Sequence, residues 1–214
     1  FASFYGGVAT LDGGSTHHIH RTYTLYIIET QGPVKSGRTK RREAVMFLLL
    51  QVASVFLVSV AMALALAHAL ELPGKMRLDK ETYLAMQPIY YPGFTMGGGV
   101  GEGGGMIATL ILLLLTPSQN PAFRWTVIAF VALVAMHVAY WIFTHPVNKF
   151  WLRNHNLAGF SAGFLRFDPM KRDAPEDSGE NTWKRIRNRW EYSHVLRAVL
   201  AAISLICLVI AVAV

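Results

Sequence analysis

The chain has 214 residues, of which 53% are hydrophobic and 15% are charged, whereas soluble domains carry about 25% charged residues. Its formal net charge is +7, but no DNA- or RNA-reading motif accompanies the basic residues, so we expect no nucleic-acid partner. The single cysteine, Cys207, excludes a disulfide within the chain and a metal–thiolate cluster.

Residues 1–43 differ from the rest of the chain because they are polar and rich in Gly, Thr and His. They end in a basic run at 35–42. We expect a polar tail here, and two interpretations stay open. The tail is either a cytosolic and mostly disordered segment, or an extension of the gene model in which Met46 is the true start.

The first predicted membrane span covers about 44–70, and Pro73-Gly74 is expected to stop its helix. Its apolar run exceeds the roughly 20 residues that a helix needs to cross the hydrocarbon core. The bilayer is therefore the first expected partner.

The second predicted span, about 94–116, begins with a glycine-rich stretch at 97–105. We favour one continuous helix, and the alternative is a re-entrant glycine loop followed by a half-helix. In a continuous helix Gly97, Gly101 and Gly105 recur every four residues, a spacing that lets helices approach closely in lipid. This face predicts association with a second copy or with a larger membrane complex.

The third and fourth predicted spans cover about 125–145 and 193–214. Between them lies a long charged loop, and its stretch 183–190 is expected to lie along the membrane surface. The pattern predicts an all-α integral membrane four-helix bundle with a polar N-terminal tail. The positive-inside rule places the loops 71–95 and 146–192 in the cytoplasm, with the protein in the bacterial inner membrane.

Polar residues at the ends of the predicted spans form the candidate site. Antiparallel threading brings seven of them to one membrane face, and ionisable groups in such positions are functional candidates. These seven residues are His68, Glu71, Glu102, His145, Asn148, His194 and Arg197.

The chemistry of this cluster leaves several interpretations open. Imidazole and carboxylate groups suit zinc, iron or copper, and the same groups can exchange protons without a metal. We assign no metal ligand and no cofactor. The alternative is that the polar groups only mark an interface. The aromatic belt on that side would then consist of Tyr90, Tyr91, Trp141, Trp151, Trp190 and Tyr192.

Three short motifs resemble those of the DUF1772 family of small four-helix membrane proteins, which includes anthrone-oxygenase-like proteins. They are His68-Ala-Leu-Glu71-Leu-Pro, His145-Pro-Val-Asn148, and Trp190-x-x-x-His194-x-x-Arg197. The resemblance covers about residues 46–214 and implies a four-helix membrane bundle. For the anthrone-oxygenase-like members it implies oxygen insertion into an electron-rich phenolic ring system.

The resemblance and the one-sided cluster together predict a membrane oxidoreductase that acts on a lipophilic aromatic small molecule. His194 or His145 would be the base, Arg197 would stabilise the resulting anion, and Asn148 would orient the substrate or oxygen. We expect five further residues to contact the substrate, namely Trp190, Trp141, Glu102, His68 and Glu71.

The alternative function is a non-catalytic membrane component, either an accessory subunit of a complex or a small transporter. On this interpretation the glycine-rich second span binds a partner, and the polar residues are structural or relay protons. No nucleotide-binding motif or internal repeat supports a pump or a duplicated transporter.

Overall fold

A computed structural model describes residues 37–151, 163, 167 and 179–214. All regular secondary structure in this part of the chain is helical, which confirms the predicted all-α class. The predictions for residues 1–36 and for most of the 146–192 loop lie outside the described residues.

Four helices are long and apolar enough to cross a membrane, which confirms the predicted membrane bundle. They are α1 (Gly37–Lys75), α3 (Gly93–Leu115), α4 (Pro121–Asn148) and α5 (Glu180–Ala213), and the short helix α2 (Lys80–Met86) lies between α1 and α3. Residues 45–214 form one compact unit.

Large apolar side chains cover the outer faces of these helices. Phe56 on α1, Leu114 on α3 and Ile206 on α5 each leave more than half of their area exposed. A helix that is apolar on all sides suits hydrocarbon surroundings, because no polar face is available for water. The outer surface of the bundle is therefore suited to contact lipid tails.

The sequence predicted that α1 would stop at Pro73-Gly74. The helix ends one residue later, at Lys75. Pro73 lacks an N–H group, yet the next turn still closes, since Met76 N–H donates to the Leu72 carbonyl at 3.0 Å. The ammonium of Lys75 also binds the Glu71 carboxylate one turn earlier, at 2.8 Å.

α5 starts at Glu180, well before the predicted span 193–214, so the expectation that the stretch 183–190 lies along the membrane surface is wrong. Trp183 and Trp190 are each 2% exposed because they pack inside the structure. They belong to a group that we call the aromatic end cluster. Its members are Tyr83, Tyr90, Val147, Trp151, Trp183, Ile186 and Trp190.

The glycines of α3 bring this helix against the backbone of α1. A methyl group added at Gly101 would lie 2.9 Å from the Ala61 nitrogen, and one at Gly105 would lie 3.1 Å from Val58. The continuous helix predicted for the second span is thus observed, and its glycine face packs within the chain. Because the glycine face packs against α1, it no longer supports the predicted association with a second copy or with a larger membrane complex.

We predict that Gly101→Ala destabilises the bundle, because the added methyl group would clash with the α1 backbone. Overpacking of this kind costs about 1–3 kcal/mol. Thermal unfolding in detergent, followed by circular dichroism, measures the effect. Gly103→Ala is the matched control, since no described atom lies within 4 Å of its added methyl group. Equal stability of the two variants would contradict the tight α1–α3 contact.

Candidate active site

Two π-helical turns interrupt the α-helical geometry where the site lies. One covers Gly99–Gly103 in α3 and the other covers Tyr140–Thr144 in α4. Such wider turns shift the register of the side chains that follow and are frequent at functional sites. Here they carry Glu102 and Tyr140, which both face a common cavity.

A cavity of about 500 Å³ lies among α1, α3, α4 and α5. Its walls are mostly apolar and aromatic, and its volume is within the range of pockets that bind drug-sized molecules. Besides Thr95 and Thr144, seven polar or ionisable side chains of the spanning helices line it. These residues are His68, Glu102, His137, Tyr140, Asn148, His194 and Arg197.

Glu102 is the centre of a buried hydrogen-bond network. Its Oε2 accepts from Arg197 Nη2 at 2.6 Å, and its Oε1 lies 2.9 Å from His137 Nδ1. Trp141 Nε1 donates to His137 Nε2 at 2.8 Å. An indole nitrogen can only donate, so Nε2 of His137 accepts and its Nδ1 donates to Glu102. One carboxylate thus binds both α4 and α5.

His194 lies beside Arg197 and is 5% exposed. Its Nδ1 is 3.5 Å from Arg197 Nη1, at the upper limit for a hydrogen bond, so this contact does not fix the tautomer. Within the described part of the chain, neither His194 Nε2 nor Arg197 Nε has a hydrogen-bond partner, although both atoms are buried. Both residues can therefore offer a polar atom to a bound molecule.

Asn148 and Trp190 connect α4 to α5 at the edge of the cavity. Trp190 Nε1 donates to Asn148 Oδ1 at 2.7 Å, so this bond holds both side chains in place. The hydroxyl of Tyr140 lies 3.1 Å from His145 Nδ1. His145 is fully buried and contacts Tyr140 behind the cavity wall.

A buried lysine lies behind the cavity wall, next to the aromatic end cluster. Lys75 Nζ lies 2.8 Å from the Glu71 carboxylate, 3.3 Å from His68 Nδ1 and 3.7 Å from Glu191 Oε1. The ammonium also packs over the rings of Tyr90 and Trp190. Opposite charges and aromatic faces thus compensate this buried cation.

Two tyrosines outside the spans complete this charged group. Tyr83 donates to Glu191 Oε1 and Tyr90 donates to Glu71 Oε2, each at 2.7 Å. Burial, together with the adjacent Glu191, raises the pKa of Tyr83 far above its usual value. Burial and the Glu71 contact raise the pKa of Tyr90 in the same way. Both phenols therefore stay protonated and keep donating.

Six of the nine residues predicted for the site line the cavity. They are His68, Glu102, Asn148, Trp190, His194 and Arg197. The rings of His68 and His194 lie 4.1 Å apart, although the two residues are far apart in sequence.

The other three predicted residues lie outside the cavity lining. Trp141 binds His137, His145 contacts Tyr140, and Glu71 holds Lys75 while leaving 41% of its side chain exposed. Three residues of the expected aromatic belt, Tyr90, Trp151 and Trp190, are buried in the aromatic end cluster, whereas Tyr192 is exposed.

Sequence reasoning missed Lys75, Glu191 and Tyr83 as parts of this region. Lys75 follows His68 by seven residues, a helical spacing that would have placed both side chains on one face of α1. Tyr83 and Glu191 are 108 residues apart in sequence and meet only in the folded chain. No local pattern signals their contact.

Among the described residues, no three His, Cys, Asp or Glu side chains converge in a way that would hold a metal ion. Glu102, the carboxylate nearest to His194 and Arg197 in this network, already binds Arg197 and His137.

We predict that Glu102→Gln destabilises the protein by about 3–5 kcal/mol, because it leaves the buried guanidinium of Arg197 without its counter-charge. Chemical unfolding in detergent measures this loss. Glu180→Gln is the control, since Glu180 pairs with Lys184 on the exposed surface and such solvent-screened pairs contribute little to stability. A loss no larger than that of the control would contradict the central role of Glu102.

A family model described as anthrone oxygenase matches residues 94–207, which is more than half of the chain. No curated protein and no solved structure matches the chain. The matched segment includes Glu102, His137, Asn148, His194 and Arg197, and it corresponds to the family that the sequence motifs resemble. The chain belongs to the anthrone oxygenase family.

Proposed function

We propose that the protein is a membrane oxygenase that uses dioxygen to oxidise a lipophilic, phenolic, anthrone-type ring system. One observation carries the proposal: His194 Nε2 and Arg197 Nε are buried without hydrogen-bond partners in the described structure, and both residues line an apolar cavity. Buried polar atoms normally have partners, so this pair suits a ligand that carries a polar group.

The proposed reaction begins with proton transfer. His194, in the tautomer that presents a lone pair at Nε2, removes a proton from the methylene carbon between the outer rings. The electron pair moves into the ring system, and the carbonyl oxygen becomes an enolate. Arg197 donates to this oxygen and stabilises the negative charge inside a mostly apolar cavity.

Dioxygen then reacts with the activated carbon. A carbon–oxygen bond forms, and the peroxide anion takes the proton back from His194. Loss of the second hydrogen of that carbon, with cleavage of the oxygen–oxygen bond, releases water and leaves a new carbonyl group. In sum, one anthrone and one dioxygen give one anthraquinone and one water, so no further reductant is needed.

The remaining residues have supporting roles in this proposal. Asn148 and Trp190, joined by their hydrogen bond, position the substrate ring, and His68 contacts it from the α1 side. Glu102 holds Arg197 through one nitrogen only, which leaves Nε available for the enolate. His145 acts indirectly as a positioning residue, because it contacts the Tyr140 hydroxyl.

Outside the cavity lining, Trp141 and Glu71 have indirect roles in this proposal. Trp141 orients His137, and Glu71 fixes Lys75.

The cytoplasmic position of the loops 71–95 and 146–192 in a bacterial inner membrane rests on the positive-inside rule. Labelling of a Lys80→Cys variant with an impermeant thiol reagent, added outside intact cells, tests this orientation, and strong labelling would contradict it.

We predict that His194→Ala and Arg197→Ala each lower anthrone oxidation in lipid nanodiscs by about 100-fold or more, as expected when a general acid–base group or an anion-stabilising donor is lost. Oxygen consumption and the absorbance of anthraquinone measure the rate. Protein-free nanodiscs give the rate of spontaneous oxidation.

Tyr192→Phe is the matched control, because Tyr192 lies on the same helix but is 57% exposed. Its rate should equal that of the wild type. Full turnover by both His194→Ala and Arg197→Ala would overturn the proposed function. A wild-type rate equal to that of protein-free nanodiscs would favour a non-catalytic membrane component.

A further inference from the structure

The end of the cavity that lies towards the aqueous loops is closed by packed aromatic side chains. Tyr90 and Trp190 line the cavity there and are only 5% and 2% exposed. Behind them lies the rest of the aromatic end cluster, with the charged group around Lys75. A rigid molecule of three fused rings cannot pass this end without disrupting buried hydrogen bonds.

The wall formed by α3 is different, because three of its eight lining residues are glycines. Gly98, Gly99 and Gly103 line the cavity, and no described atom lies within 4 Å of a methyl group added at any of them. Met96 and Val100 also line the cavity, yet they are 52% and 63% exposed. The cavity therefore reaches the outer, lipid-facing surface of α3.

The depth of this opening suits an amphipathic aromatic molecule. With a rise of 1.5 Å per residue, Gly99 lies about 9 Å and Gly103 about 15 Å from the start of α3 at Gly93. Flat aromatic molecules with one polar edge concentrate near the boundary between headgroups and acyl chains, and the opening lies within the first three turns of the spanning helix α3. His194 and Arg197, on the opposite wall, supply the buried unpartnered polar atoms that such a molecule would reach.

We propose that the substrate enters the cavity sideways from the bilayer, through an opening on the lipid-facing side of α3 at Gly98, Gly99 and Gly103. The missing side chains at these positions set the width of the ring system that can pass. This inference rests on the proposed function for its substrate class, fused aromatic hydroxy-ketones that partition into lipid. It assigns Gly99 and Gly103 as specificity-determining residues.

Stopped-flow binding to protein in nanodiscs tests the opening, with quenching of tryptophan fluorescence as the signal. The three-ring probe is 1,8-dihydroxyanthraquinone, which cannot undergo the reaction, and the one-ring probe is 2-hydroxyacetophenone. In Gly99→Leu and Gly103→Leu we expect the association and dissociation rates of the three-ring probe to fall together by about tenfold or more. Its Kd should change little, and the one-ring probe should bind at wild-type rates.

Gly93→Leu is the matched control, because Gly93 also has open space around it but does not line the cavity. Wild-type rates for the three-ring probe in both Leu variants would overturn the proposed opening. Faster dissociation without slower association would also overturn it, since the glycines would then be part of the binding wall only.

Arg197→Ala separates this inference from the proposed function. If Arg197→Ala weakens both probes while the Leu variants behave as wild type, the site stands and the opening is wrong. If the wild type binds neither probe, the substrate class fails and the opening fails with it. Thermal unfolding of each variant confirms that the compared proteins are folded.

Discussion

The ion pair between Glu102 and Arg197 is the interaction on which the rest of the site depends. Both residues lie within membrane-spanning helices, where an unpaired charge is costly. Their contact at 2.6 Å joins α3 to α5, and His137 adds α4 through the second carboxylate oxygen. Three of the four spanning helices thus meet at one carboxylate, and this junction holds Arg197 against the cavity.

This junction requires close helix packing, which the glycines of α3 allow. Gly101 and Gly105 place α3 directly on the backbone of α1, while Gly99 and Gly103 leave space on the cavity side. The π-helical turn at Gly99–Gly103 contains Glu102 together with glycines of both kinds. The same short segment therefore sets helix packing, the position of the carboxylate and the width of the cavity.

Much of the fold follows from the sequence, because a long apolar run is stable in lipid as a helix that crosses the bilayer. The number of spans and the position of the polar cluster at one end of the bundle follow from hydropathy and antiparallel threading. The start of α5 could not be predicted, since the charged segment 180–192 is too polar to be recognised as part of a span. Trp183 is buried against Tyr83 and Trp151, and Trp190 against His68 and Tyr90, which are contacts that form only in the folded chain.

Part of the site was also predictable, because its polar residues lie at the ends of the predicted spans. Span-end positions and the family motifs identify His68, Glu102, Asn148, Trp190, His194 and Arg197, which all line the cavity. They do not show that His145 lies behind Tyr140, because a helical stripe gives the face of a residue and not its neighbours. Contacts such as Tyr83 with Glu191, and the charged group around Lys75, depend on tertiary packing alone.

The most direct test is an experimental structure of the protein in lipid with 1,8-dihydroxyanthraquinone bound. The account predicts that the ring system occupies the cavity among α1, α3, α4 and α5, with an oxygen within hydrogen-bonding distance of Arg197 and the ring edge beside His194. A ligand bound outside this cavity, or one that contacts neither Arg197 nor His194, would contradict it.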